Sequence, residues 1–414
     1  MSGPTLTVHR ATDQIGGNCI EIAGDGHRLI LDVGRPLDAP SDAQGLIPAT
    51  LDLAAPDTSV LISHPHQDHY GLLEETPASW PVYSGAATER LIRLTAGIFR
   101  KRVDRQFRHW IVGQATQIGP FTVKPWLTDH SAFDAHMLQI DGMGRRILYS
   151  GDFRRHGRKS GLVERLMADP PANVDVLLME GTNLGTTKPS KTEAALESEF
   201  IDLFNSTPGR VFVAWSAQNV DRTVTLYRAA LQAGRTLVVD LYTAEVMQAL
   251  GDFGRLPLPD WSRIMVVVTS SLARMYRRRG DEAFVQQMVE NGISARKLEQ
   301  HRTKWVVMVR PSLARDYARS GVTPTSDDAW SFSQWSGYLK APDGQALQQW
   351  FDQGGAQAKH IHTSGHASPD DLRAFANAIA PKWLVPIHGI AWDEEQVGFP
   401  PVKRLRDGEP LLLA

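Results

Sequence analysis

What most restricts the fold of this chain is a recurring local pattern, in which a short apolar run stops at a histidine or an acid and then turns. Within the first 180 residues the stretches "TLTVHRA", "NCIEIAG", "HRLILDVG", "TSVLISH", "FTVKPWL", "HMLQID", "RRILYSGD" and "VDVLLMEG" read as short strands between turns. Successive side chains of a strand face opposite ways, so such runs predict two β-sheets around a common core, with covering helices such as "AATERLIRLTAGIFRKRV". From about residue 190 the texture becomes alternating strand and helix: "SKTEAALESEFIDLFNS", "GRVFVAWS", "NVDRTVTLYRAALQAG", "RTLVVDL", "TAEVMQAL", "KWVVMVRP" and "AWSFSQW". That alternation predicts a parallel sheet and therefore a separate inserted α/β domain. After "KHIHTSGH" the short strands that end in histidine return in "KWLVPIHG". The expected organisation is a first domain over 1–185, an insertion over 186–358, and completion of the first domain by 359–414.

The densest polar cluster is "LISHPHQDHYGLL", residues 61–73. In an extended backbone His64 and His66 point the same way and can grasp one object, while Asp68 and His69 fall in the turn beyond and can face a second. Four donors in H-x-H-x-D-H spacing suit a hydrolytic metal site, which binds imidazole and carboxylate and keeps coordination open for water and substrate. In "VKPWLTDHSAFDAH", His130 follows a strand and is the better further ligand, whereas His136 opens the next strand and reads as structural. "RRILYSGDFRRHG" ends its strand at Asp152, where a carboxylate can bridge two cations.

Bulk properties narrow the classes. With 42% hydrophobic and 22% charged residues the chain is an ordinary folded protein, and a net charge of −2 excludes a uniformly basic nucleic-acid coat. "FRKRVDRQFRH" (99–109) and "MYRRRGD" (275–281) concentrate Arg and Lys, and both read as solvated helical faces. A single cysteine, Cys19, forbids an intrachain disulfide and fits a reducing compartment. The N-terminus shows no apolar signal core, and no run approaches the roughly 18 apolar residues of a membrane span, so a cytoplasmic protein is expected.

The series "SHPHQDH", "DHS" and "SGDF" resembles the metallo-β-lactamase fold, an αββα sandwich with metals at one edge of its sheets. "LILDVG", with Asp32, looks like that fold's early acid, which orients ligands. "LLMEGTNLG" with Glu180, "HTSGHAS" with His366 and "LVPIHGI" with His388 resemble three motifs of the β-CASP nucleases, in order around the inserted α/β domain. The resemblance covers almost the whole chain. It implies one metal held by His64, His66 and His130, and another by Asp68, His69 and His388, with Asp152 bridging. Two Zn²⁺ ions, or Mn²⁺ in their place, would form hydroxide near neutrality and neutralise charge on a phosphoryl oxygen. His366 would then donate to the scissile phosphate or leaving oxygen, Glu180 would fix its tautomer, and Asp68 would share the proton of the attacking water.

In the RNA-processing branch, which includes the ribonuclease J group, the third motif carries histidine, as His388 does here. A ribonuclease acting on single-stranded RNA is therefore the leading expectation. The alternatives are a DNA exonuclease on the same scaffold, a metallo-hydrolase of small molecules, and a binding subunit without activity. The chain departs from ribonuclease J in two loops, where it reads "VMVRPSLARD" and "WSFSQWSGYLK", and ribonuclease J's C-terminal domain has no counterpart here. Ser333, Trp335, Tyr338 and Ser364 are candidate contacts to a strand, through hydroxyls and stacking faces.

Overall fold

The computed structural model describes residues 3–40, 42–187 and 190–414. They form two compact units, one of residues 1–190 with 365–414 and the other of residues 191–364. The expected joints at 185/186 and 358/359 lie a few residues earlier in the chain.

The first unit is built on two sheets. One has seven strands, running from the edge strand Pro410–Leu412 through Thr5–Arg10, Cys19–Gly24, His27–Val33, Thr58–Leu61 and Val82–Ser84 to Phe107–His109. The other has six, in the order Trp383–Pro386, Val176–Met179, Arg145–Tyr149, His136–Gly142, Phe121–Leu127, Thr116–Ile118. Strand alternation sorts the apolar residues into layers. Leu6, Val8, Leu29, Leu31 and Leu61 of the first sheet share one core with Val123, Leu138, Ile147, Tyr149 and Val385 of the second. The intervening residues face outward: Ile30, Val60 and Ile62 pack with Ile92 of helix Ala86–Ile98. On the far side Met137, Leu148 and Leu177 pack with Val163 and Leu166 of helix Ser160–Ala168 and with Phe375 of helix Pro369–Ile379. Four layers, αββα, follow from the period of two in the sequence.

The C-terminal segment supplies one strand to each sheet, parallel to Val176–Met179 and antiparallel to Thr5–Arg10. Three strands of the second sheet, Arg145–Tyr149, Val176–Met179 and Trp383–Pro386, run parallel, so their C-terminal ends share one edge. Among the described residues no helix is long and apolar enough to cross a membrane.

The second unit is a six-stranded parallel sheet in the order Ile264–Val267, Thr236–Asp240, Trp305–Met308, Val211–Ala214, Ala329–Phe332, Gln357–Ala358. Thr192 caps helix Glu193–Ser206 by accepting from the Ala195 amide at 3.1 Å, which marks where the expected helix begins. Phe351 of helix Pro342–Gly354 stacks on Trp330 with ring centroids 4.5 Å apart, covering one face of the sheet. Strand Ile264–Val267 is absent from the sequence reading.

One basic run differs from expectation. Helix Ala86–Ile98 stops before residues 99–109, and Arg100 adopts φ +56°. Arg105 then turns inward to donate to the carbonyls of Leu73, Thr76 and Pro77 and to Glu74, so this stretch is not a solvated helical face. Residues 275–281 do close helix Ser270–Arg279, where Arg277 and Arg279 pair with Glu282 and Glu245.

Candidate metal centre

Six of the singled-out polar residues of the first unit sit just past a strand end, whereas Asp32 lies within His27–Val33, Asp68 and His69 lie in the short helix Gln67–Tyr70, His136 opens His136–Gly142 and His366 precedes helix Pro369–Ile379. His64 and His66 follow Thr58–Leu61, His130 follows Phe121–Leu127, and Asp152 follows Arg145–Tyr149. Glu180 follows Val176–Met179, and His388 follows Trp383–Pro386. Carboxyl ends of parallel strands present loops and free backbone groups, which makes that edge a natural ligand site. Close backbone packing shapes it. A Cβ on Gly34 would lie 1.7 Å from the Asp68 carbonyl oxygen, so only glycine lets the "LDVG" turn pass beneath the Asp68 loop. The amides of Gly17 and Asn18 both donate to that same carbonyl at 3.1 Å. His388 takes φ +48°, an unusual conformation for a non-glycine residue, held by its amide donating to Ala11 O at 2.7 Å.

The two expected donor groups form, His64, His66 and His130 being one and Asp68, His69, Asp152 and His388 the other, each with ligand atoms mutually within 4.8 Å; a third set, Asp152, Glu180, His366 and His388, meets the same limit and overlaps the second. His66 Nδ1 and His130 Nε2 are 3.3 Å apart, His388 Nε2 and Asp68 Oδ2 3.3 Å, and His69 Nε2 and Asp152 Oδ2 3.1 Å. Nitrogen donors about 2.0–2.1 Å from a tetrahedral ion are about 3.3 Å from one another, so these spacings are those of a coordination shell. Asp152 reaches both groups, its Oδ2 lying 3.7 Å from His64 Nε2 and 3.8 Å from His388 Nε2.

The residues present fit a metal on a second ground. His64 Nε2 and Asp152 Oδ1 are buried without a hydrogen-bond partner, a costly state that a cation relieves. The opposite ring atoms are tied down. His64 Nδ1 meets Ser63 Oγ at 3.0 Å, His69 Nδ1 meets Asp32 Oδ2 at 2.7 Å, and His388 Nδ1 meets Thr182 Oγ1 at 2.9 Å. Each contact turns the Nε2 lone pair toward the centre. Asp32 is itself fixed by the Ser63 amide and hydroxyl, each at 2.7 Å, and by the Tyr149 hydroxyl at 2.5 Å, which in turn accepts from Asn18 at 3.1 Å.

Burial, reinforced by neighbouring imidazoles, holds His64 and His130 well below the usual histidine range, and burial also lowers His66. The other group is opposite in sign. Burial would lower His69, but the charges of Asp152, Asp32 and Asp68 outweigh it and raise it well above. Burial would raise Asp68 and Asp152, yet His69 and His388 hold Asp68 down at about 2 and keep Asp152 far below the carboxylate range.

His366 adjoins this second group. Its Nδ1 lies 3.0 Å from Glu180 Oε2 and 3.7 Å from Asp152 Oδ2. Glu180 is fully buried and accepts from the Phe153 amide at 2.9 Å and the Thr182 amide at 3.3 Å. Burial would lower His366, but Glu180 and Asp152 push it up to about 9.

His136 lies outside both groups, buried against Trp110. Ser333 belongs to the other unit and is only 2% exposed, with its hydroxyl spent on Ile361 O at 2.5 Å and on Arg222. Its place is thus to anchor the chain, which does not fit the expected contact to a strand. Trp335 and Tyr338 are exposed, and Ser364 is half-buried at the end of that unit. The sequence reading did not single out Ser63, Asn18, Tyr149 or Thr182. Ser63 and Thr182 carried a faint signal, each standing beside a motif residue.

Residues 12–213 match the Metallo-beta-lactamase superfamily, and residues 355–390 match the Zn-dependent metallo-hydrolase RNA specificity domain. These two matches, with the ribonuclease J relatives, support the ribonuclease J-like β-CASP family of the metallo-β-lactamase superfamily. It is 23% identical over 417 residues to ribonuclease J of Helicobacter pylori (strain ATCC 700392 / 26695), covering 91% of this chain and 54% of that protein. It is 25% identical over 412 residues to ribonuclease J of Mycobacterium tuberculosis (strain ATCC 25618 / H37Rv), covering 94% and 69%. The chain thus spans about half the length of the Helicobacter relatives it matches. The crystal structure of a protein of unknown function from Enterococcus faecalis V583 shares the fold, with a TM-score of 0.80 at 19% identity over 99% of this chain and 100% of that one. The superfamily match and the donor groups together mark a binding site for divalent metal.

Proposed function

We propose that this chain is a metal-dependent phosphodiesterase that cleaves single-stranded RNA, with two zinc or manganese ions as its cofactors. The observation that carries the reading is the position of Asp152, whose Oδ2 lies 3.1–3.8 Å from imidazole nitrogens of both donor groups. A shared carboxylate between a three-histidine group and a mixed group is the arrangement that two ions need. His64, His66 and His130 would hold one ion, Asp68, His69 and His388 the other, and Asp152 both. Bound there, two divalent ions would lower the pKa of an attacking water and neutralise charge on a phosphoryl oxygen.

The chain's own groups supply the rest. Asp68, at the mouth of its group with 13% of its side chain exposed, can take up the proton that the attacking water releases. His366 leaves a phosphate to be met by Nε2, since Nδ1 is engaged by Glu180. A protonated imidazole in that pose donates to the leaving oxygen, and the carboxylate behind it keeps the proton on the ring until the bond breaks. RNA as substrate is supported by the match of residues 355–390 to the RNA specificity domain and by the ribonuclease J relatives.

The test is to incubate the zinc- or manganese-loaded protein with end-labelled single-stranded RNA bearing a 5′-monophosphate, 5′-hydroxyl or 5′-triphosphate, beside the matched DNA. Cleavage of RNA well ahead of DNA is expected, and the product ladders report direction and end dependence. Faster cleavage of DNA, or of neither polymer with either metal, overturns the reading.

A further inference from the structure

The unit of residues 191–364 carries a second set of features that the metal centre does not use. Its strands all run parallel, so the loops after Val211–Ala214, Thr236–Asp240, Trp305–Met308 and Ala329–Phe332 emerge at one edge. The chain leaves Val211–Ala214 toward Thr236–Asp240 on one side, and leaves the adjacent Trp305–Met308 toward Ala329–Phe332 on the other. Such a reversal between neighbouring strands opens a crevice at their carboxyl ends. Arg310 stands there, two residues past the end of Trp305–Met308.

Arg310 is set in place. Its Nη2 contacts the fully buried Asp240, its Nε donates to Ser312 Oγ at 3.2 Å, and its guanidinium carbon lies 5.8 Å from the Tyr242 ring centroid. Tyr242 is itself held by Gln218, which donates to its hydroxyl at 2.8 Å. The Arg310 side chain is 26% exposed, and Nη1 has no hydrogen bond or ion pair among the described residues. A planar fork fixed along one side by a carboxylate presents its other N–H groups to an incoming oxyanion.

Two strands along the same edge lies an aromatic platform. Trp335 is 65% exposed and Tyr338 56%, with ring centroids 5.4 Å apart at 88°. The Trp335 ring lies over Gly337, where a Cβ would come within 2.2 Å of it, so a side chain at 337 would displace the indole from this position. At the spacing of neighbouring strands, about 4.8 Å, the Arg310 and Trp335 loops leave the sheet roughly 10 Å apart. A fixed cation roughly 10 Å from exposed ring faces matches a ligand in which anions and flat rings alternate.

We propose that the carboxyl edge of this unit binds a single strand of nucleic acid, with Arg310 on a backbone phosphate and Trp335 with Tyr338 stacking an unpaired base. The inference rests on the RNA reading and deepens it by assigning substrate contacts to loops in which this chain departs from ribonuclease J. The test is equilibrium binding by the metal-loaded full chain of a labelled, cleavage-resistant phosphorothioate oligouridylate and of the same backbone with abasic sugars. W335A is expected to bind the oligouridylate roughly 10-fold more weakly and the abasic strand as the wild type does, and W335F to restore binding. R310A should weaken both strands alike and reduce the slope of log affinity against log salt by about 0.7. The proposal is overturned if W335A binds oligouridylate normally, if it loses both strands equally, or if R310A leaves the salt slope unchanged. Where the wild type cleaves RNA, such a result sinks only this inference. A wild type that binds neither strand removes this inference and the RNA reading together.

Discussion

The two donor groups of the metal centre lie side by side yet are built on opposite electrostatic plans. His64, His66 and His130 form a shell of imidazoles whose burial keeps them neutral and therefore ready to ligate. Asp68, His69, Asp152 and His388 include two carboxylates, with Asp32 behind His69 as a third. There the acids draw a proton onto His69, so in the absence of cations the carboxylates are balanced by protonated imidazole. The difference teaches that the first group is prepared chiefly by exclusion of water, and the second by compensation of charge. Metal in the second group must displace protons, while metal in the first meets lone pairs already exposed.

The comparison can be broken at its joint. Asp152→Ala removes the one carboxylate that reaches both groups and is expected to have the largest effect, with loss of metal from both and activity at background. Elemental analysis of the dialysed protein checks it, and full metal content would refute the bridging role. A smaller change sharpens the contrast. Asp32→Asn keeps the size of the side chain but removes the charge that orients His69, and should weaken one ion by roughly 10- to 100-fold while the other binds as before. A chelator competition that resolves two affinities distinguishes this from a uniform loss, which would mean that the groups are not independently prepared.

Much of this was legible in the sequence, for a physical reason. A strand's period of two and an abrupt polar stop are local signals, so the β runs, the cluster at residues 61–73 and the strand-end positions of His130, Asp152 and His388 could be read without knowing what they meet. The supports of the site were hidden because they depend on distant parts of the chain. Tyr149 reaches Asp32, and Thr182 reaches His388, through folding alone. Ser333 misled for the converse reason, since a hydroxyl beside exposed aromatics looks available until Arg222 and Ile361 are found to occupy it. Residues 99–109 look like a charged helical face, but the carbonyls of residues 73–77 that capture Arg105 cannot be inferred from spacing.

The account's central claim is that holding metal and moving the proton are separate tasks on one edge of the sheets. Measuring metal content and RNA cleavage together in His366→Ala tests it most directly. Since His366 Nδ1 is closest to Glu180, at 3.0 Å, and farther from the bridging Asp152, at 3.7 Å, the variant should keep both ions and bind RNA, yet cleave roughly 10² to 10⁴ times more slowly. Loss of an ion from that variant, or cleavage at the wild-type rate, would contradict the account.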